Sequence, residues 1–290
     1  MRKLLAVLAV AVTVVAAAGS ASAINTYNAQ PAPERSEVGA YVALWDGADA
    51  DTAPDRFDWV CSGTMIDDDT FLTAAHCTTD WPEGTRHFVS LDEHVQAWLD
   101  EAVDGRTAVQ AVDWALAEGH IVEGTPHWDA AYPGNGSDSH DIGVLELAPG
   151  AAAAAWEFTP AHLPTANQLD ALGGRALDAA QWWVVGYGTQ EAQRGPGGHA
   201  HPGGGTRLKA PEDFDALNKT WVRLSMVEAR GQGGACYGDS GGPNFVQLGD
   251  ELVLAATTVT GDVPCYATNV TYRLDTPSAR AFLDDFVALP

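Results

Sequence analysis

Apolar positions along the chain fall in short runs. They read AYVALW at 40–45, TFLTAAH at 70–76, IGVLEL at 142–147, WWVVGYG at 182–188, TWVRLSMVEA at 220–229 and ELVLAATTV at 251–259. Val, Leu, Ile, Thr and Trp fill these runs, and Gly, Pro, Asp and Asn separate them. That pattern predicts an all-β protein built from many short strands. Residues 91–118 have mixed periodicity and fit a helix or strands. The stretch GPGGHAHPGGG at 195–205 reads as a flexible loop by composition. At the end of the chain, Thr276 suits a helix N-cap and Pro277 the first helical position, with Phe282, Leu283, Phe286 and Val287 on one face. No internal sequence repeat and no linker divides the chain, so residues 24–290 are expected to form one domain.

The first 23 residues are of another kind. Arg2 and Lys3 precede an apolar run that closes on Ala21-Ser22-Ala23. This is the pattern of a cleaved export signal, and it predicts a secreted protein with no membrane attachment after cleavage. Acidic residues outnumber basic ones 39 to 15, for a net charge of −24. Such a charge argues against nucleic acid or an anionic membrane as a partner. Four cysteines, Cys61, Cys77, Cys236 and Cys265, form an even set. In an exported chain an even set predicts disulfides. Three pairings are possible, of which Cys61–Cys77 and Cys236–Cys265 close the shorter loops. No C-x-x-C spacing is present, which disfavours zinc. His199 and His201 form a lone H-x-H that is better read as an exposed loop tip than as a metal site. DGADAD at 46–51 is better read as an acidic surface loop than as a calcium site. No metal or cofactor is expected.

The candidate chemistry centres on CYGDSGGP at 236–243. A serine hydroxyl becomes a nucleophile near neutral pH only with a base beside it and a group that orients the base. His76, in LTAAHC, ends an apolar run next to a half-cystine. Asp141, in SHDIGVLEL, sits where a polar loop turns into an apolar strand, a place that can bury a carboxylate. Taken singly, each has a bland reading, as a surface His or a strand-initiating Asp. Together, in the order His76, Asp141, Ser240, they resemble the trypsin-like (chymotrypsin-fold) serine proteases. GDSGGP and AAHC match that family's motifs, and DIGVLEL matches with Gly143 where Ala is usual.

The resemblance implies two six-stranded antiparallel β-barrels with the catalytic cleft between them and a C-terminal helix. It implies a serine endopeptidase acting on protein or peptide substrates through an acyl-enzyme, as an expected monomer. His76, Asp141 and Ser240 would be the triad, and the Gly238 and Ser240 N–H groups the oxyanion hole. The family's cysteine pattern agrees with Cys61–Cys77 and Cys236–Cys265. Signal cleavage would expose Ile24, whose ammonium group would pair with Asp239; Val38 is a rival start, but a strand begins almost at once after it and leaves little chain to reach Asp239. Gly234, Ala235 and Gly261 fall where the family builds its specificity pocket, and Val270 or its neighbour would narrow it. With no carboxylate at Gly234, a non-basic, apolar side chain is expected before the scissile bond. Two other classes compete. An inactive protease-fold binding protein would usually have lost a triad residue, and all three are kept. An α/β-hydrolase esterase would place its His last in the chain.

Overall fold

The computed structural model describes residues 24–46, 55–195 and 198–290. The leader 1–23, most of the acidic stretch 46–51 and the side chain of His199 lie outside the described residues. Two closed antiparallel barrels account for most of the chain. The first contains β1 (Val38–Trp45), β2 (Arg56–Met65), β3 (Thr70–Thr73), β4 (Arg86–Ser90), β5 (Val122–Trp128) and β6 (Gly143–Leu147). Its strands run in the order β1-β2-β3-β6-β5-β4, and β4 pairs back onto β1. The second contains β7 (Trp182–Gly186), β8 (Leu208–Leu217), β9 (Trp221–Ser225), β10 (Pro243–Leu248), β11 (Glu251–Gly261) and β12 (Thr268–Arg273). Its order is β7-β8-β9-β12-β11-β10, closed by β10 on β7, with the short strand Gln30–Pro31 added beside β8. The connectivity is therefore the same in both halves, although the sequence carries no repeat.

Alternation explains why these runs become barrel strands. Along β1 and β4, Tyr41 and Val89 join one cluster with Met65, Phe71 and Leu145. Their neighbours Val42 and Phe88 join another with Phe57, Trp98 and Leu99. Each strand thus buries both faces. The second cluster is supplied partly by residues 91–118, which form two helices, α1 (Val95–Val103) and α2 (Ala108–Glu118). These pack Trp98, Leu99, Ala111 and Ala115 onto the first barrel. Thr107 and Gln110 form a reciprocal capping box at the start of α2, and Gly119 ends it in the left-handed conformation.

Several sequence expectations change here. The run at 70–76 is strand only to Thr73, and Ala75–Thr78 makes one helical turn. The run at 220–229 is strand only to Ser225. A further helix, α3 (Gln168–Ala179), was not signalled by the pattern. The glycine-rich stretch is not a loose loop. Strands Gln193–Gly195 and Gly198–Ala200 pair as a hairpin, and Gly204 and Gly205 are buried against Trp59 and Gln96. His201 is half-buried rather than at an exposed tip. Its Nδ1 lies 3.0 Å from the Gln190 carbonyl oxygen, and its ring meets Tyr237 edge-on. The terminal helix α4 (Pro277–Leu283) begins as expected, with the Thr276 hydroxyl accepting the Ala279 N–H. It ends at Leu283, so Phe286 and Val287 pack from the segment beyond it.

A buried cation ties the halves together. Arg207 is 4% exposed and donates to the carbonyls of Ala32, Val38 and Leu91 at 2.9–3.1 Å. It thus joins the N-terminal segment and the first barrel to the start of β8. Replacing it by Leu leaves the Leu91 carbonyl without its donor and takes one donor each from Ala32 and Val38, which keep the Arg35 N–H and the Tyr187 hydroxyl, at about 1–3 kcal/mol for an unsatisfied buried group. Arg207→Leu is expected to lower the unfolding free energy by about 3 kcal/mol, read from urea denaturation. A change below about 0.5 kcal/mol would contradict this role.

Candidate active site

Strand register brings His76 and Asp141 together. Thr73 on β3 pairs with Gly143 on β6. His76 follows the first of these by three residues, and Asp141 precedes the second by two. The Asp141 carboxylate is 4% exposed and spans the histidine: Oδ1 accepts the His76 backbone N–H and Oδ2 accepts Nδ1–H, both at 2.9 Å. Because a carboxylate only accepts, this fixes the proton on Nδ1 and leaves Nε2 as the acceptor. Among the described residues, Nε2 has no protein partner.

Ser240 comes from the second barrel, three residues before β10. Its carbonyl accepts the Ser62 N–H at 2.9 Å. The Ser62 hydroxyl donates to the Gly238 carbonyl at 2.9 Å and accepts the Tyr187 N–H at 3.0 Å. Ser62 is wholly buried on β2, so the first barrel grips the serine loop directly. Sequence reading passed over Ser62; the signal was its place beside Cys61. Gly238 takes φ +94°, and a Cβ there would fall 2.3 Å from the Trp59 ring. No other residue fits the turn. Among the described residues, neither the Gly238 nor the Ser240 N–H has a protein acceptor. Both are unspent donors beside the candidate nucleophile.

Behind the loop lies Asp239, with no exposed surface. Its carboxyl accepts the Gly188 and Cys236 N–H groups, each at 2.8 Å. Burial pushes its pKa up to about 7. Ile24 is also fully buried, and its N–H donates to the Gly188 carbonyl at 3.1 Å. The structure therefore brings Ile24 and Asp239 to the two sides of one residue.

Disulfides join Cys61 to Cys77 and Cys236 to Cys265. They pin the His76 turn to β2 and the serine loop to the segment before β12. Two clusters of sulfur and imidazole result, His76 with Cys61 and Cys77, and His201 with Cys236 and Cys265. Their sulfurs are bonded to each other and are not thiolates, so neither cluster is a thiolate metal site.

A cavity of about 190 Å³ opens beside Ser240, lined by Ala235, Tyr237, Val259, Gly261 and Val263 among others. Both Ala235 and Gly261, expected in the specificity pocket, line it. Gly234 is not among the lining residues. It lies behind Ala235, where an added Cβ would meet Met226 and, at 2.9 Å, the Glu212 carboxyl. Val270 does not line the cavity, but its neighbour Asn269 does.

A family model described as Trypsin matches residues 45–281, most of the chain. The chain belongs to the trypsin family, and it is a trypsin-like serine endopeptidase acting on protein or peptide substrates. A search of curated proteins finds no match.

Space for the Asp239 carboxyl is made by Gly188, where a Cβ would lie 2.3 Å from Oδ2. Displacing that carboxyl moves the Gly238–Ser240 backbone, and about 1 Å of misplacement can cost 100-fold in rate. Gly188→Ala is expected to lower kcat/KM about 100-fold while the far-ultraviolet circular dichroism is unchanged. Undiminished activity would show that the carboxyl and the loop are independent.

Proposed function

We propose that Ser240, His76 and Asp141 form the catalytic triad of a secreted endopeptidase, residues 24–290 being its protease domain. The reading rests above all on the double clasp of His76 by Asp141, which leaves a single basic nitrogen free on the imidazole. Ser240 attacks the scissile carbonyl carbon as His76 Nε2 takes its proton. Asp141 stabilises the imidazolium that results. The carbonyl oxygen, now an anion, is received by the Gly238 and Ser240 N–H groups, each worth about 3 kcal/mol in the transition state. Collapse of the adduct breaks the C–N bond as His76 returns the proton to the leaving amine. Water then releases the acyl group by the same steps. No cofactor enters this scheme.

Activation follows from the leader. Cleavage after Ala23 frees the amino group of Ile24 to pair with Asp239. Two features support this start. Ile24 is already buried beside Gly188, and it holds φ +65°, a region a β-branched residue rarely adopts. Cleavage removes the peptide bond that makes this torsion strained. Export is supported by the leader and the two disulfides, and no helix among the described residues is long and apolar enough to cross a membrane. The released enzyme works as a monomer.

The cavity beside Ser240 receives the side chain that precedes the scissile bond, called P1. Its walls are mainly apolar or backbone. The one carboxylate in the lining, Asp262, already accepts the N–H groups of Tyr266, Ala267 and Thr268 at 2.7–2.9 Å. An uncharged P1 with an apolar body suits these walls.

Two measurements test the reading. A fluorophosphonate probe is expected to label the secreted protein at Ser240, with no labelling in Ser240→Ala and a kcat loss of roughly 10⁵–10⁶-fold in His76→Ala. Folded protein that starts at Ile24 and does not label would refute the triad. The second concerns a chain blocked by one extra residue before Ile24. There Asp239 keeps a folded-state pKa of about 7 against an ordinary 3.8. The folded state then binds the proton more tightly, so stability falls as pH rises from about 4 to about 7. The free ammonium offsets that loss. Urea midpoints of the free and blocked forms should therefore diverge across that window, the blocked form being the weaker at pH 7.

A further inference from the structure

The floor of the cavity carries a polar network that the triad does not use. Asn269, on β12, lines the cavity and is 1% exposed. Its Nδ2 donates to Glu212 Oε1 at 3.0 Å and to the Asn244 side-chain oxygen at 2.8 Å, so both N–H bonds are spent. Its Oδ1 is buried and, among the described residues, has no hydrogen-bond partner. Glu212 is 3% exposed on β8, and no cation pairs with it among the described residues. Burial raises its pKa well above the ordinary value, which favours the uncharged acid. Asn244 Nδ2 in turn donates to Thr258 Oγ1 at 3.0 Å.

We propose that Asn269, oriented by Glu212 and Asn244, is the specificity-determining residue of this cavity, and that its free Oδ1 selects a P1 side chain ending in an uncharged hydrogen-bond donor. A carboxamide or a phenol on an apolar stem has that form. A buried acceptor without a partner is costly, and a ligand that supplies the donor recovers that cost, whereas an apolar isostere does not. A Lys or Arg would bring a charge to a floor that holds no counter-ion, which a buried charge requires. The proposal rests on the reading of this cavity as the P1 site, and it deepens that reading by naming the side chain.

The test uses the secreted protein and matched peptides that differ only at P1: Gln against Met, Tyr against Phe, and Lys against norleucine. Gln over Met or Tyr over Phe is expected by about tenfold or more in kcat/KM, with Lys no better than norleucine. In Asn269→Leu the donor preference should vanish while fluorophosphonate labelling of Ser240 persists. Glu212→Gln, which can still accept from Asn269, should keep it. Labelled, active enzyme that cleaves Met and Phe peptides as well as Gln and Tyr peptides overturns this inference alone. So does a Lys preference, which would point to an ionised Glu212. Absence of both labelling and cleavage overturns it together with the proposed function.

Discussion

A single carboxyl group, that of Asp239, has no access to water and only two backbone N–H groups to answer it. Placing an ionised carboxylate in such a site is unfavourable unless a cation joins it. Much of the surrounding structure follows from that constraint. Gly186 and Gly188 are the residues an added Cβ would drive into the carboxyl. The Cys236 N–H that binds the carboxyl belongs to a half-cystine, so the disulfide to Cys265 holds the donor in place. The Asp239 carbonyl accepts the Gly242 N–H, which turns the chain into β10. The loop that presents Ser240 is therefore folded around a buried carboxyl, whose ionisation the proposed pairing with Ile24 would favour.

In the proposed site the two barrels divide the chemistry between them. The first supplies the imidazole and the carboxylate, from adjacent antiparallel strand ends whose register sets their distance. The second supplies the serine, the cavity and the buried Asp239 carboxyl behind them. Neither half contains a complete site. What aligns them is a small set of polar contacts at the seam: Ser62 to the serine loop, Trp59 against Gly238, and Arg207 to carbonyls on both sides. Hydrogen bonds are directional, and apolar packing between barrels is not, so the seam fixes orientation where a purely apolar interface would permit sliding. The insertion carrying α1 and α2 fits this scheme. It packs on the first barrel, and Gln96 accepts the Trp59 indole N–H at 2.8 Å, which steadies the ring on which Gly238 rests.

The strands were legible because period-2 alternation and turn residues are local signals. The helix at Thr276 was legible because a cap and a proline mark it. Residues 91–118 were ambiguous, since a helix packed on a barrel through a few residues keeps polar ones elsewhere; the Thr107 and Gln110 box was the available cue. The glycine-rich stretch misled because composition reports backbone freedom, and here the glycines serve close approach to Trp59. His76, Asp141 and Ser240 stood out because motif neighbours frame each of them. Glu212 and Asn269 did not, being 57 positions apart and given meaning only by barrel closure. Gly234 suggested an empty floor, and the carboxyl that fills it comes from another strand.

Charge acts on this enzyme at two ranges. Over the surface, a net charge of −24 sets up an attractive field for cationic peptides, felt within about 10 Å at 0.1 M salt. At the floor of the cavity, burial disfavours charge on Glu212, and the proposed selection falls to one amide oxygen. The two ranges thus favour different features of a substrate. On the proposed reading, basic residues in the flanking sequence assist encounter, while the buried P1 position, screened from solvent ions, favours a neutral donor. Encounter then responds to salt and P1 discrimination does not, because only the first depends on charges that mobile ions can reach.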